Sequence, residues 1–341
     1  MVEPHWPIGR RDNVDIISAM RIDVLVLDGV FDLGLAALLD TLATANELAP
    51  NVPGPRVRFE VRTLGLRPDV HTALGFKAPV VALEQVPRAS VVLLPALGCK
   101  TPETICAALE RSDVREACDW VRQRHSQRAR LLAACTGTFV LAETGLLNGG
   151  SATTTWWLGP TFRQRFPEVK LDDSTMVVEH GRCITAGAAL AHLDLALWLV
   201  RSKSPTLATL VSRYLLVEAR TTPALHAIPD QLAHADPLVE AFERWARGHI
   251  TEQLSVEDAA RAIGTSPRTL ARRTQRVLGR SPLGFVQDLR VEQAIHRLRT
   301  TDASVDDIAR EVGYLDGVTL RNLLRRKTGR GVRELRRLWP D

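Results

Sequence analysis

The sequence predicts two domains of different structural class: a mostly parallel α/β domain, followed by an all-helical domain with two helix-turn-helix motifs. Three observations support this prediction. Branched apolar runs alternate with helical patterns up to about residue 203, one short pattern occurs twice near the end, and the net charge of +5 resides in that last part.

The first part of the chain alternates strand-like and helix-like segments. The runs RIDVLVLD, VRFEVRTLGL, SVVLLPAL and RARLLAAC predict buried strands, and LGLAALLDTLATANEL and VREACDWVRQRH are examples of the predicted helices. Such alternation is typical of a parallel sheet that helices cover on both faces. Ligands in these sheets bind beyond the carboxyl ends of the strands, so we expect a ligand site there, within residues 21–205.

The last part of the chain contains the same pattern twice. Ser255, Ala260 and Gly264 recur 49 residues later, and Leu270 and Gly279 recur 50 residues later. A serine N-cap, a small residue where two helices meet, a glycine turn and a following basic helix are typical of a helix-turn-helix. The sequence therefore predicts such motifs at 255–276 and 304–327. The matching residues of the second copy are Ser304, Ala309, Gly313, Leu320 and Gly329.

Charge indicates what these motifs bind. Residues 250–341 contain 18 Lys and Arg against 12 Asp and Glu, whereas the rest of the chain is nearly neutral. Local positive charge of this kind predicts a DNA-binding module whose second helix of each motif enters a major groove. We expect base contacts from Arg268, Arg272, Arg321, Asn322 and Arg325, phosphate contacts from Arg273, Arg326 and Lys327, and further contacts from Thr269 and Val318.

Residues from about Asp236 to the end resemble the DNA-binding domain of the AraC/XylS family of transcription regulators. The matching stretches are SPRTLARR at 266–273, GRSPL at 279–283, LRVEQA from Leu289 and IAREVGY at 308–314. The resemblance implies that a linking helix at 285–299 holds the two reading helices in successive major grooves of an operator, about 34 Å apart. It also implies RNA polymerase and a second copy of the chain as partners.

One predicted strand end is chemically distinctive. Cys135 follows a strand and precedes a helix opened by Thr136 and Gly137, which predicts a sharp turn with the sulfur near a helix N-terminus. This position can lower a thiol pKa, although a buried and inert cysteine is the ordinary alternative. The five cysteines form no C-x-x-C pair, which predicts free thiols in a reducing cytoplasm and neither a metal nor another cofactor.

Residues 21 to about 203 resemble the ThiJ/PfpI branch of the class I glutamine amidotransferase superfamily, in the version fused to AraC-type domains in GlxA-like regulators. The matching stretches are LPALG at 94–98, ACTGTFVLAETGLLNGGSATTTWW at 134–157 and ITAGAALAHLDLALWLV at 184–200. The resemblance implies a flavodoxin-like fold with the cysteine at an elbow. In the enzymes of that superfamily a histidine and an acid serve this cysteine.

This chain has Thr155 and Gly34 at those two positions. The resemblance therefore implies a degenerate site without catalytic residues. His180, in a predicted hairpin turn, and His192, at a predicted helix start, are expected to be structural. We expect the elbow to form the floor of an effector pocket with Asp28, Phe31, Asp32, Gly98, Cys135, Thr136, Thr154 and Trp156 around it.

The remaining segments complete the prediction. Residues 1–20 lack the apolar centre of a signal peptide and are expected to be a disordered extension, residues 206–237 a proline-interrupted linker, and residues 238–341 the DNA-binding domain. No apolar run is long enough to span a membrane. The preferred hypothesis is a cytoplasmic, homodimeric transcription activator, not an enzyme, that a small nitrogen-containing metabolite controls. A cysteine-dependent hydrolase or amidase with a nucleic-acid-anchoring tail, and a redox sensor that uses Cys135, are the alternatives.

Overall fold

The computed structural model describes residues 18–53, 57–83, 89–172, 175–217, 236–252 and 254–337. Its first part contains a seven-stranded sheet and two short strand pairs. The strands are β1 (Ser18–Leu25), β2 (Val57–Gly65), β3 (Val70–His71), β4 (Lys77–Ala78), β5 (Val81–Ala82), β6 (Val91–Leu94), β7 (Arg130–Ala134), β8 (Ser151–Ala152), β9 (Lys170–Leu171), β10 (Val177–His180) and β11 (Cys183–Ala186). The order in the large sheet is β10-β11-β7-β6-β1-β2-β5, and all its pairs are parallel except β10 with β11.

Helices cover both faces of this sheet. They are α1 (Asp32–Leu48), α2 (Pro102–Leu109), α3 (Ser112–Ser126), α4 (Gly137–Glu143), α5 (Gly159–Arg165), α6 (Ala191–Lys203) and α7 (Pro205–Tyr214). Because successive strand residues point to opposite faces, Ile22 and Val24 pack with α1, α6 and α7, while Leu25 packs with α2, α3 and α4. The predicted flavodoxin-like α/β sandwich is confirmed.

The structure corrects two predicted boundaries. Residues 18–20 were assigned to the extension but begin β1, where Ser18 pairs with Val57 in a parallel register. The linker is predicted from residue 206, but residues 206–214 belong to α7, whose Leu207, Ala208 and Val211 are buried in the core of the α/β domain. Pro205 begins this helix, since proline is tolerated in the first turn. Residues 1–17 and 218–235 of the two predicted segments lie outside the described residues, whereas Asp236 and Pro237, at the predicted end of the linker, cap and begin the helix Pro237–Gly248.

The second part is helical and duplicated. It comprises α8 (Pro237–Gly248), α9 (Val256–Ala262), α10 (Pro267–Leu278), α11 (Pro282–Thr300), α12 (Val305–Glu311), α13 (Gly317–Thr328) and α14 (Val332–Arg337). Helices α9 and α12 have equal lengths, as do α10 and α13, so the structure follows the repeat in the sequence. The predicted linking helix is α11. Its residues Phe285 and Leu289 belong to the core of the first half, and Ala294 and Leu298 to that of the second half.

No helix in the described part of the chain is both long and apolar enough to cross a membrane.

Candidate functional site

The loops after β1, β6 and β7 meet at the carboxyl edge of the sheet, and Cys135 lies at their centre. It has φ 54°, a left-handed conformation that is strained for a residue with a side chain. Three bonds hold this elbow. The N–H of Cys135 donates to the Ala186 carbonyl (2.8 Å), the Thr154 hydroxyl donates to the Cys135 carbonyl (2.6 Å), and the Thr136 hydroxyl donates to the Leu97 carbonyl (2.7 Å). The predicted sharp turn is confirmed, with the sulfur beside the start of α4.

Burial dominates the chemistry of this thiol. Cys135 is 3% exposed, and desolvation raises its pKa to about 12, although the backbone N–H of Thr136 and the hydroxyl of Thr155 oppose the shift. The fully buried Thr155 thus lies beside the sulfur at the position where the resemblance implies a histidine, but a hydroxyl cannot accept the thiol proton at neutral pH. At pH 7 the group is a thiol. All five cysteines are free.

His192 occupies the space that a side chain at position 34 would need. A Cβ added to Gly34 would lie 2.5 Å from the His192 ring, so a larger residue cannot be accommodated there while the ring stays in place. The N–H of Ala96 donates to Nε2 of His192 (3.0 Å), and Nδ1 therefore carries the proton that binds the Ala189 carbonyl (2.8 Å). Desolvation lowers the pKa of His192 to about 4, so the ring is neutral. It ties the loop after β6 to the start of α6.

These tied loops surround a cavity of about 340 Å³. Three of the predicted pocket residues line it: Phe31, Gly98 and Cys135. Asp28 lines a separate, more polar cleft, and Asp32 accepts the N–H of Leu74 (3.0 Å), whereas Thr136 and Thr154 brace the elbow from behind. The residues that the sequence analysis did not select are Ala96, Leu97, Cys99, Lys100, Trp157 and Ala189.

Trp156 and Trp157 have different surroundings. Both lie in a 3₁₀ turn, Trp156–Leu158, but Trp157 lines the cavity and packs against the core of the α/β domain. The predicted pocket residue Trp156 instead packs against the core of the first helix-turn-helix. The sequence does not indicate which of the two tryptophans lines the cavity, because the geometry of the 3₁₀ turn determines which indole faces which core.

The reading helices α10 and α13 present most of the predicted DNA-contacting side chains to solvent. Ser266 caps α10 by accepting the Thr269 N–H (3.1 Å), and Asp316 caps α13 by accepting the Thr319 N–H (2.8 Å). Thr269 is half-buried beside its cap. Val318 is 61% exposed. The charged and amide side chains that are exposed on the two helices are Arg268, Arg272, Arg273, Gln275, Arg276, Arg321, Asn322, Arg325 and Arg326, of which Gln275 and Arg276 were not among the predicted contacts.

Two of the predicted phosphate contacts have partners inside the domain. Arg273 pairs with Asp236, the N-cap of α8 (2.5 Å), and Lys327 pairs with Asp288 (2.8 Å). Arg321 lies 3.7 Å from Asp306. Leu315 was not among the predicted contacts, but it is 89% exposed just before the N-cap of α13 and lies near Val318 in the sequence, at the leading end of that helix. Its apolar character could have indicated a contact with thymine methyl groups.

The chain is similar to several known proteins. A family model described as a helix-turn-helix domain matches residues 259–338. The regulator GbdR of Pseudomonas aeruginosa is 25% identical over 305 residues, which cover 87% of this chain and 79% of GbdR. GlxA of Rhizobium meliloti is 26% identical over 212 residues, 61% of this chain and 65% of GlxA. The crystal structure of a ThiJ/PfpI family protein from Pseudomonas syringae superposes with a TM-score of 0.46 and 21% identity, covering 63% of this chain and 84% of that one.

The duplicated motif, the helix-turn-helix family match and the similarity to GbdR and GlxA define a DNA-binding transcriptional regulator with an AraC-type helix-turn-helix domain. The chain is a homologue of the GlxA- and GbdR-like AraC regulators.

Proposed function

We propose that this protein regulates transcription by binding an operator through both reading helices, under the control of a small molecule bound beside Cys135. The observation that carries the proposal is the exposed row of arginines on α10 and α13, two helices of equal length that one linking helix joins. Side chains of this type bind guanine edges and phosphates. A cytoplasmic homodimer that activates RNA polymerase is the form that we propose for it.

Two substitutions test base reading. Arg272→Ala and Arg321→Ala should each weaken binding to a duplex selected from a random pool by the full-length protein, by about 1 to 3 kcal/mol. The loss should be smaller on random DNA, because only specific binding uses base contacts. Fluorescence anisotropy at several salt concentrations separates the contribution of base contacts from that of phosphate contacts.

Arg244→Ala is the matched control, since it removes the same charge from the exposed face of α8. It should lower affinity for both duplexes equally and only slightly. An equal loss on selected and random DNA for Arg272→Ala would contradict base reading at that position.

The α/β domain is proposed to bind its effector without chemical turnover. Burial raises the pKa of the Cys135 thiol to about 12, so the group is protonated at pH 8, which is unfavourable for both a nucleophile and a redox sensor. The cavity walls are mainly apolar, with Phe31 and Trp157 as large surfaces and Lys100 as a cation. Such a site suits a small molecule with an apolar body.

Ligand binding and cysteine reactivity can be tested separately. We expect one compound in a panel of free amino acids and small amines to raise the melting temperature of the wild type but not of Ala189→Phe, which fills the cavity. Iodoacetamide at pH 8 should leave Cys135 unlabelled, and Cys135→Ala should retain DNA binding. Rapid labelling of Cys135, or turnover lost in Cys135→Ala, would favour the hydrolase or the redox sensor instead.

A further inference from the structure

The two consecutive tryptophans connect the cavity with the first helix-turn-helix. Their rings touch edge to face, with centroids 5.6 Å apart and planes at 83°. Trp157 belongs to the cavity wall, and Trp156 packs against the cluster that contains Leu270, Val277 and Leu278 of α10. Because both indoles share one short turn, a displacement of Trp157 cannot leave the surroundings of Trp156 unchanged.

A second contact from the same segment reaches the same helix. The guanidinium of Arg163, on α5, donates to the carbonyl of Val277 (3.3 Å), one of the last carbonyls of α10. A cation at this end of a helix is favoured by the helix dipole and by the unpaired carbonyls there. The fit is close, because a side chain at Gly279 would overlap the Arg163 guanidinium.

The Arg163 contact engages the trailing end of α10, and Trp156 packs against the core that the buried face of this helix helps to form. Arg268 and Arg272 at the leading end and the middle of the helix remain exposed. The α/β domain therefore holds this reading helix without covering its reading face. An element in that position can change the orientation of the helix, and a ligand that prefers one arrangement shifts the population toward it.

We propose that Trp157, Trp156 and Arg163 form a relay through which the occupant of the cavity beside Cys135 sets the position of α10. The inference rests on the proposed function, since it takes the cavity as the effector site. Coupling of this kind is measured as a response in α10 to a change in the cavity wall.

Amide hydrogen exchange of the full-length protein, without DNA or effector, provides this measurement. Trp157→Ala removes a side chain that packs in the α/β domain. It should nevertheless accelerate exchange of the α10 amides about 5- to 10-fold. The α13 amides serve as an internal reference, and their exchange should not change. Phe31→Ala is the matched control. It removes another aromatic wall of the same cavity from the α1 side, and it should leave α10 unchanged.

Arg163→Ala and Arg165→Ala test the second contact. Both remove an arginine from α5, but Arg165 pairs with Glu110 and Glu143 inside the α/β domain. Only Arg163→Ala should accelerate exchange at the end of α10. Should Trp157→Ala unfold the α/β domain, Trp157→Phe keeps an aromatic core residue and should give a smaller change of the same sign.

The outcomes separate the relay from the proposed function. Unchanged α10 exchange in both Trp157→Phe and Arg163→Ala would overturn the relay, even if the selected duplex still binds. Loss of base discrimination is measured independently with the Arg272 and Arg321 variants. Equal acceleration in α10 and α13 would also overturn the relay, because it would indicate general destabilisation.

Discussion

The two helix-turn-helix halves share a pattern but differ in what holds them. The first half packs against the α/β domain through Trp156 and Arg163. The second half is joined to the first by contacts around the linking helix α11, where Arg290 donates to the Ile250 carbonyl (3.0 Å) and lies over the Tyr314 ring (5.1 Å). The three units are therefore arranged in series: the α/β domain contacts the first helix-turn-helix, and the first helix-turn-helix contacts the second.

Equivalent positions in the two copies of the repeat therefore differ in the contacts that surround them. Gly264 and Gly313 are equivalent in the repeat, and both have positive φ, 71° and 80°. A Cβ added to Gly264 would meet no described atom within 4 Å, but one added to Gly313 would lie 2.5 Å from the Ile250 carbonyl oxygen and 2.7 Å from Arg290. Only the second glycine lies in the contact between the halves.

Substitution of these two glycines should give the largest effect. Gly264→Ala costs about 1 kcal/mol, because the left-handed conformation is strained for any residue with a Cβ. Gly313→Ala has the same strain and must also displace a backbone carbonyl and the Arg290 guanidinium, so we expect about 2 to 4 kcal/mol. Native-state amide exchange of α9 and α12 measures both values in their own halves.

The comparison has a built-in control, since each variant leaves the other half's glycine intact. Gly313→Ala should also weaken protection around Ile250 in the first half, because the displaced carbonyl belongs to that half. Equal losses for the two variants would break the comparison.

An intermediate effect is expected at Asp288, on the linking helix. Its carboxylate pairs with Arg280, directly after α10, and with Lys327 of α13 (2.8 Å). It thereby fixes one reading helix relative to the other. Asp288→Asn should weaken binding to the selected duplex by about 1 kcal/mol and should reduce the penalty for inserting one base pair between the two contacted grooves.

Asp302→Asn controls for the change in net charge, because Asp302 is exposed on the loop before α12. It should retain the wild-type spacing preference in the same anisotropy assay. If Asp288→Asn also keeps that preference, the carboxylate does not set the separation of the reading helices.

Local patterns in the sequence predicted what depends on local physics. The offsets of 49 and 50 residues predicted helices α9, α10, α12 and α13, because caps, glycine turns and apolar spacing act within a few residues. The elbow at Cys135 was predicted for the same reason. What could not be predicted depends on residues far apart: the ring of His192 beside Gly34, and the separate surroundings of Trp156 and Trp157. The predicted linker was wrong over residues 206–214 for a similar reason, because the burial of Leu207, Ala208 and Val211 in the α/β core depends on residues far away in the sequence.

The smallest effect concerns the caps of the two reading helices. Ser266 caps α10 with a hydroxyl, which does not titrate, whereas Asp316 caps α13 with a carboxylate. The backbone N–H of Thr319 and its hydroxyl hold the pKa of Asp316 below the ordinary 3.8. A lowered folded-state pKa contributes stability that is present above the unfolded value and is lost as pH falls through the folded one. Acid below about pH 4 should therefore loosen the start of α13 before that of α10.

A variant that replaces the aspartate cap of α13 with the serine found at the equivalent cap of α10 tests this prediction more sharply. Asp316→Ser gives the second half the cap of the first, so the acid response of the α13 amides should become like that of α10, while their protection at pH 7 changes little. Asp307 and Glu311 also have lowered pKa values, through Ser304 and Arg297, and they remain in the variant. An acid response that remains in the variant and is confined to α12 would therefore come from Asp307 and Glu311. Persistence of the full response in α13 would show that the cap is not its cause.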